Sequence, residues 1–140
     1  MAITKEELID LLNKDLAWEY TAAIQYVQHS GVLTGAQYMA IKKEIILHAS
    51  EELAHATTLA GQITYLGGFP TVDTYKPGVS HDNVEMLEQD LAGELDAVDR
   101  YTLRVAQAEQ LNLYHLAGSL RTILAMEQEH AMDLQEALGK

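Results

Sequence analysis

Both prolines of this 140-residue chain lie in one segment, Gly67–Gly78, which is rich in residues that break regular structure. On either side of it, apolar residues recur at intervals of three and four, which is the period of a helix and not of a strand. The apolar positions of this pattern include Leu8, Leu12, Leu16, Ile41, Ile45, Leu87, Leu91, Leu116 and Leu120. The pattern predicts four long helices, over residues 5–32, 36–66, 82–109 and 112–138.

The connections between the predicted helices define the topology. Gly31 and Gly35 mark a short turn in the first half of the chain, and the stretch 109–112 marks another in the second half. Short turns force neighbouring helices to run antiparallel, whereas the segment 67–81 is long enough to cross a bundle from end to end. We therefore expect an all-α fold, an antiparallel four-helix bundle with a long crossover between helices 2 and 3, as a single domain over residues 1–140.

Composition argues against two classes of partner. The chain has 9 Lys and Arg against 21 Asp and Glu, a net charge of −12, whereas binding to nucleic-acid phosphates needs clustered basic side chains. Its N-terminus lacks the basic and apolar regions of a signal peptide, and no apolar run approaches the length that spans a bilayer. The absence of cysteine is compatible with a reducing compartment. We expect a cytoplasmic protein that binds cations, and neither nucleic acid nor membrane.

The two halves of the chain are related by an internal repeat. A shift of 75 residues superposes them without a gap, and it matches polar as well as apolar residues. The matched polar pairs are Asp15 with Asp90, Glu19 with Glu94, Tyr26 with Tyr101, Glu52 with Glu127, and His55 with His130. Helical spacing puts the four glutamates and two histidines of these pairs on the faces that the apolar pattern predicts to point inward.

Buried carboxylates need a counter-charge. Four ionised glutamates facing one another in a core are prohibitively unstable unless they are protonated, paired or bound to metal. The chain has only nine basic side chains, and the periodicity puts none of them on the inward faces near these glutamates. Two divalent cations would balance four carboxylates, and two neutral imidazoles would complete the ligands. The sequence therefore predicts a dinuclear metal centre, with ligands Glu19, Glu52, His55, Glu94, Glu127 and His130.

Two Glu-x-x-His motifs carry a family resemblance. They lie on different predicted helices, at Glu52–His55 and Glu127–His130, and each follows another glutamate 33 residues earlier. In this pattern the chain resembles the ferritin-like di-iron carboxylate superfamily, and within it bacterioferritin. The segments Met86–Asp96 and Glu127–His130 are similar to the third and fourth helices of bacterioferritin.

The resemblance implies a role for each residue of the centre. Glu52 and Glu127 would bridge two iron ions, and Tyr26 would be the tyrosine beside them. The terminal ligands would be Glu19, Glu94, His55 and His130, with one histidine on each iron. Manganese or zinc are possible substitutes for the iron.

Two departures from bacterioferritin lead to further expectations. Bacterioferritin ligates haem through a methionine next to the glutamate of the second helix, whereas this chain has Leu53 there, so we expect no haem. The chain also stops ten residues past His130, before the short fifth helix of the family. We expect a homo-oligomer, a dimer at least, and a 24-subunit cage is possible.

The chemistry expected of such a centre is oxidation of Fe(II). Carboxylates stabilise Fe(III) over Fe(II), so two Fe(II) ions would each give one electron to O2 or H2O2, which is ferroxidase activity and serves iron storage or detoxification. Three alternatives use parts of the same evidence. One is a dimanganese or mixed Mn/Fe oxidase or peroxide-consuming enzyme, the second is a module that sequesters metal without turnover, and the third is a structural bundle whose polar residues pair with one another.

Several polar residues outside this centre have structural interpretations. His48 lies one turn before Glu52 and either joins Glu44 or Glu51 in an accessory iron site or, as we expect, is a solvated surface histidine. Asp90 either orients a ligand histidine or lies on a partly exposed helix face. Residues near predicted helix ends, expected to be capping or exposed, are His29, His81 and His115. The methionines expected to fill gaps in the core are Met39, Met86, Met126 and Met132.

Overall fold

A computed structural model describes residues 2–140, which form four α-helices and one short 3-10 turn. The helices are α1 (Lys5–Val32), α2 (Met39–Tyr65), α3 (Asn83–Gln110) and α4 (Tyr114–Ala137), and the 3-10 turn spans Ala36–Tyr38. The all-α four-helix prediction is confirmed, and each predicted boundary lies within three residues of the observed one.

Short connections pair α1 with α2 and α3 with α4. The first turn contains Gly35, whose φ of 109° is open to glycine, and the second contains Asn112, at φ 60°. At the start of α1, Thr4 and Glu7 form a capping box, because each side chain accepts a hydrogen bond from the backbone N–H of the other. At the start of α3, the Asp82 side chain caps the helix by accepting a hydrogen bond from the Glu85 N–H.

The crossover, residues 66–82, runs along α1. Side chains of α1 hydrogen-bond its backbone at successive points: Asn13 at Phe69 and Thr71, Thr21 at Tyr75, and Gln25 and His29 at Gly78. The crossover thus spans most of the length of the bundle, as its length predicts. Its first turn leaves α2 through Gly67 (φ 96°) and Gly68, where a Cβ would lie 2.5 Å from Ile9.

The apolar core falls into two clusters with polar residues between them. One cluster joins the first part of α1 to the last part of α2, through Leu8, Leu12, Leu59 and Ile63, and continues onto α3 and α4. The other lies toward the opposite end and includes Ile45, Met86, Leu87 and Leu134. Buried glutamates and histidines occupy the region between these clusters. Burial of apolar side chains in both clusters therefore stabilises the arrangement of the polar residues between them.

Some expectations about side chains need correction. Of the four methionines expected in the core, Met86 is fully buried, whereas Met39 and Met132 are more than half exposed and Met126 is partly exposed. Trp18 is 36% exposed and stacks on Tyr75 of the crossover, with ring centroids 4.1 Å apart. Within residues 2–140, every helix is too short or too polar to cross a membrane.

Candidate metal centre

Six buried side chains from all four helices meet between the two apolar clusters. They are the residues that the sequence predicts: Glu19 from α1, Glu52 and His55 from α2, Glu94 from α3, and Glu127 and His130 from α4. The most exposed of the six is His55, at 8%. Each Glu-x-x-His motif spans nearly one helical turn, so its two side chains leave the same face of the helix.

The six side chains form two overlapping groups of four. Potential ligand atoms in each group lie within 4.8 Å of one another, and both groups contain Glu52 and Glu127. His55 Nδ1 lies 3.2 Å from Glu52 Oε1 and 3.1 Å from Glu127 Oε1. His130 Nδ1 lies 3.4 Å from Glu52 Oε1 and 3.8 Å from Glu127 Oε1. Two glutamates therefore face both histidines, and each remaining glutamate faces one: Glu19 faces His55 and Glu94 faces His130.

Several of these polar atoms are buried without hydrogen-bond partners among residues 2–140. They are Glu19 Oε2, Glu52 Oε1, His55 Nδ1, Glu94 Oε2 and Glu127 Oε1. His55 Nδ1 is close to two carboxylate oxygens but has hydrogen-bond geometry to neither. A buried polar atom without a partner costs on the order of 1–3 kcal/mol, so the fold maintains a cluster that only another group can satisfy. The donor set, four carboxylates and two imidazoles, suits divalent iron or manganese.

The electrostatics of the cluster are those of excess negative charge. Burial, together with repulsion from Glu19, Glu127 and Glu94, raises the pKa of Glu52 well above its usual range. Burial and the charge of Glu127 likewise raise the pKa of Glu94 to about 7. Burial alone would lower the pKa of His55, but the carboxylates of Glu127 and Glu19 raise it to about 10. The metal-free cluster therefore favours protonation, and a cation would compete with those protons.

Two tyrosines cross the centre to the opposite half of the repeat. The Tyr26 hydroxyl donates to Glu94 Oε1, and the Tyr101 hydroxyl donates to Glu19 Oε1, at 2.6 Å each. Both rings are almost fully buried. The predicted position of Tyr26 beside the centre agrees with this geometry, and Tyr101 holds the equivalent position on the other side. Each tyrosine fixes one oxygen of a glutamate and leaves the other free.

Comparison with known proteins gives the family. Residues 9–140 match the ferritin family, described as the ferritin-like domain. The chain belongs to the ferritin family. It is 32% identical to the bacterioferritin of Brucella melitensis over 133 residues, which are 94% of this chain and 83% of the relative.

Two solved structures are similar to this ferritin over nearly its whole length. A ferritin-like di-iron-carboxylate protein from Bacillus anthracis superposes with a TM-score of 0.93 at 35% identity, over 99% of both chains. A dodecameric thioferritin from Bacteroides fragilis, described as bacterioferritin-related, superposes with a TM-score of 0.90 at 31% identity, over 98% of this chain and 87% of the other. In this family the carboxylate and histidine clusters indicate iron binding, and the family's general activity is iron storage or oxidation at a di-iron site.

One buried ion pair of this ferritin is missing from the sequence-based prediction. Arg104 is only 4% exposed and binds Asp15 through two nitrogens, Nε at 2.7 Å and Nη2 at 3.1 Å. Arg100 adds a third bond to Asp15 at 2.8 Å. The expectation that no basic side chain points inward nearby is therefore wrong. Arg104 is buried because it neutralises Asp15, a carboxylate outside the centre. The glutamates of the centre still have no basic partner from it.

His29 and Asp90 also differ from expectation. Both are buried, and His29 Nδ1 lies 2.9 Å from Asp90 Oδ1 while its Nε2 lies 2.9 Å from the Gly78 carbonyl. Burial lowers the pKa of His29, but the bond and charge of Asp90 outweigh this effect and raise it. Asp90 thus orients a histidine, though His29 is not one of the six at the centre. The signal available in the sequence was the repeat, which matches Asp90 with Asp15.

The position of His48 also differs from expectation. It is 1% exposed and its ring stacks on that of His130, with centroids 3.8 Å apart, so it is not a solvated surface histidine. Of the other two histidines expected near helix ends, His81 and His115 are exposed as predicted. Glu51, considered beside His48, instead approaches His130, with its Oε1 3.1 Å from Nε2.

A cavity of about 380 Å³ leads from the surface to the centre. It lies between α1 and α3, and its inner wall includes the four glutamates of the centre. Its other lining residues include small side chains, Ala22, Ala92, Gly93 and Ala97. These small residues leave space through which a small molecule can reach the glutamates.

Proposed function

We propose that this chain is a ferroxidase that binds two Fe(II) ions at the six-residue centre and oxidises them with O2 or H2O2, in the service of iron storage or detoxification. The observation that carries the proposal is the pair of overlapping ligand groups, buried and lacking other partners, that share Glu52 and Glu127. Two metal ions held about 3.5–4 Å apart can share such carboxylates, whereas a single ion has no second ion to share them with.

The proposed roles follow the geometry of the two groups. Glu52 and Glu127 are the bridging ligands, because each faces both histidines. The terminal ligands are Glu19 and His55 on one ion, and Glu94 and His130 on the other. Both histidines present Nδ1 to the centre. Tyr26 and Tyr101 hold the terminal carboxylates through their hydroxyls.

The substrate supplies the redox chemistry: two Fe(II) ions each lose one electron to the oxidant. The protein binds both ions side by side, and its anionic carboxylates favour the trivalent product over the divalent substrate. The raised pKa values of His55 and Glu94 favour protons in the metal-free centre, and entering cations compete with those protons. The cavity between α1 and α3 gives a small oxidant access from the side opposite the α2/α4 face.

Storage also requires assembly. We propose a homo-oligomer, consistent with the dodecameric state of the Bacteroides fragilis thioferritin. A dimer, a dodecamer and a 24-subunit cage differ about twofold or more in mass, so light scattering distinguishes them. We propose no haem site, because Leu53 stands where bacterioferritin has its haem-binding methionine. We also propose a cytoplasmic location.

The test is the rate of Fe(II) oxidation in air. Adding two Fe(II) per chain to the wild-type protein should give rapid oxidation, which the absorbance of the ferric product reports. Glu127→Ala removes one of the two shared carboxylates and should abolish the rapid phase. Glu129→Ala, which changes an exposed residue on the same helix, is the matched control and should oxidise at the wild-type rate. Rapid oxidation by Glu127→Ala would refute the assignment.

One alternative activity uses the same ligands. A dimanganese or Mn/Fe oxidase, or an enzyme that consumes peroxide, would have the same six residues, so the metal content of protein purified from its native cells separates it from a ferroxidase. A module that only sequesters metal would bind two ions per chain and leave Fe(II) unoxidised in air. Parallel assays of Fe(II) oxidation, and of peroxide consumption without added Fe(II), separate all three functions.

A further inference from the structure

A third group of metal-ligand side chains lies outside the six-residue centre. Glu44 and His48 of α2 and Asp133 of α4 offer ligand atoms that all lie within 4.8 Å of one another. One imidazole and two carboxylates are a common donor set for divalent cations. The group lies on the side of the centre where α2 meets α4, away from the cavity between α1 and α3.

The position of His48 is fixed before any cation binds. Its ring is 1% exposed and stacks on His130 at 3.8 Å between centroids and 20° between planes. Its Nε2 lies 3.2 Å from Asp133 Oδ2, while its Nδ1 is buried and has no hydrogen-bond partner among the described residues. A buried imidazole held by stacking and bonded at one nitrogen is a preorganised ligand.

The two carboxylates lack a permanent counter-charge. Over residues 2–140, neither Glu44 nor Asp133 has a Lys or Arg nitrogen within 4.0 Å, and the one ion-pair contact of Asp133 is His48 itself. The negative charges are partly open to solvent, since Glu44 is exposed and Asp133 is partly exposed. A cation can therefore reach them from the surface.

The internal repeat supplies a comparison within the same molecule. A shift of 75 residues carries Glu44 to Ser119, His48 to Ile123, and Thr58 to Asp133. These neutral counterparts line, together with Glu51, a cavity of about 340 Å³ beside His55. The two sides of the centre thus have the same backbone arrangement, but only the His130 side carries the charged group.

We propose that Glu44, His48 and Asp133 form a third divalent-cation site, which exchanges Fe(II) with the dinuclear centre past His130. Cation binding by this site needs no oxidation, and only its role in exchange rests on the proposed function. The His48 ring lies against His130, and Glu51 approaches the outer nitrogen of His130, so polar groups continue from the third site to the centre. The His55 side has no such charged group among these matched positions and binds no third ion.

The test is an anaerobic titration with Co(II), which serves as a stable probe for Fe(II), at physiological ionic strength. Equilibrium dialysis counts the ions, and visible absorbance reports their coordination. The wild-type protein should bind two ions tightly and a third more weakly. Asp133→Asn should weaken the third by at least about tenfold and leave the first two unchanged. The matched control, Asp99→Asn, changes an exposed aspartate of α3 and should retain all three.

The possible outcomes separate this inference from the proposed function. Two tight ions in both the wild-type and Asp133→Asn proteins, with no third, would overturn the inference and leave the dinuclear centre standing. A third ion that persists in the Glu44→Gln/Asp133→Asn double variant would also overturn it, since the cation would then lie elsewhere. Failure of the wild-type protein to bind two ions tightly would instead contradict the proposed function.

Discussion

Asp15 and Asp90 occupy equivalent positions in the two halves of the chain, yet they are held in different ways. Both are buried beside the centre, one helical turn before Glu19 and Glu94 respectively. Asp15 binds two guanidinium groups, of Arg100 and Arg104. Asp90 binds Gln25 and His29, which are the repeat counterparts of those two arginines.

The difference reflects the crossover, whose backbone is bonded by the two residues that hold Asp90 and, over residues 2–140, by neither arginine that holds Asp15. Gln25 and His29 bind Asp90 on one side and the backbone of Gly78 on the other. A protonated imidazole donates in two opposite directions, so it can join a carboxylate to a carbonyl. At Asp15 there is no such connection to make, and two arginines neutralise the carboxylate. The six side chains of the centre are duplicated faithfully, whereas the residues supporting them differ where the single crossover is bonded.

The largest expected effect comes from breaking the arginine side. Arg104→Met leaves Asp15 buried with one guanidinium in place of two, and we expect the free energy of unfolding to fall by about 3 kcal/mol. The loss should be similar at pH 6 and pH 8, because arginine stays protonated at both. Urea unfolding at the two pH values measures it. Arg121→Met, at an exposed pair with Glu109, is the control and should change stability by less than about 1 kcal/mol.

Breaking the histidine side should cost less. His29→Gln keeps a hydrogen-bonding group near Asp90 but removes the charge and one of the two contacts, so we expect a loss of about 2 kcal/mol at pH 6. The crossover should also loosen near Gly78, which hydrogen exchange of its backbone amide would report. Unchanged exchange at Gly78 would contradict the linking role of His29.

The two sides should also differ in pH dependence. The pKa of His29 is raised above its ordinary value of 6.5 by Asp90, so its stabilisation is complete below that value and is lost as pH rises through the folded pKa. The stability difference between wild type and His29→Gln should therefore shrink as pH rises. His55 and His130 shift in the same direction in both proteins, so the difference isolates His29. A difference that is constant or grows with pH would refute this assignment.

The smallest expected effect concerns the two tyrosines, whose hydrogen bonds to the glutamates are alike in both halves of the repeat. Tyr26→Phe and Tyr101→Phe each remove one hydroxyl bonded to a terminal carboxylate, and each should weaken Co(II) binding at the centre by about tenfold. The two losses should agree within a factor of about three, because the bonds are equal in length. Tyr65→Phe, on an exposed residue, is the control. A large effect from only one of the pair would show that the centre is not symmetric.

The sequence predicts the centre well because repetition and periodicity agree on it. Glu52 and Glu127 stand where helical spacing calls for an apolar residue, and a buried acid repeated in both halves has few structural explanations. The helix ends were predictable for a similar reason, since Gly35 and the proline-containing segment interrupt the pattern at clear positions.

The supporting residues were not predictable in the same way. Arginine is usually exposed and histidine is intermediate, and the burial of Arg104, His29 and His48 depends on partners that are distant in sequence. Arg104 is buried because Asp15, 89 residues away, accepts its bonds, and His29 because Asp90 does. Periodicity predicts which face of a helix is buried, but it does not predict which side chain of another helix packs against that face.

The most direct test of the dinuclear centre is a crystal structure of the protein loaded anaerobically with Fe(II), with anomalous scattering measured at the iron edge. We predict two strong peaks, one beside His55 and one beside His130, each in contact with both Glu52 and Glu127. A single peak between the two histidines, or no peak in contact with Glu52 and Glu127, would contradict the claim that these carboxylates hold a pair of metal ions.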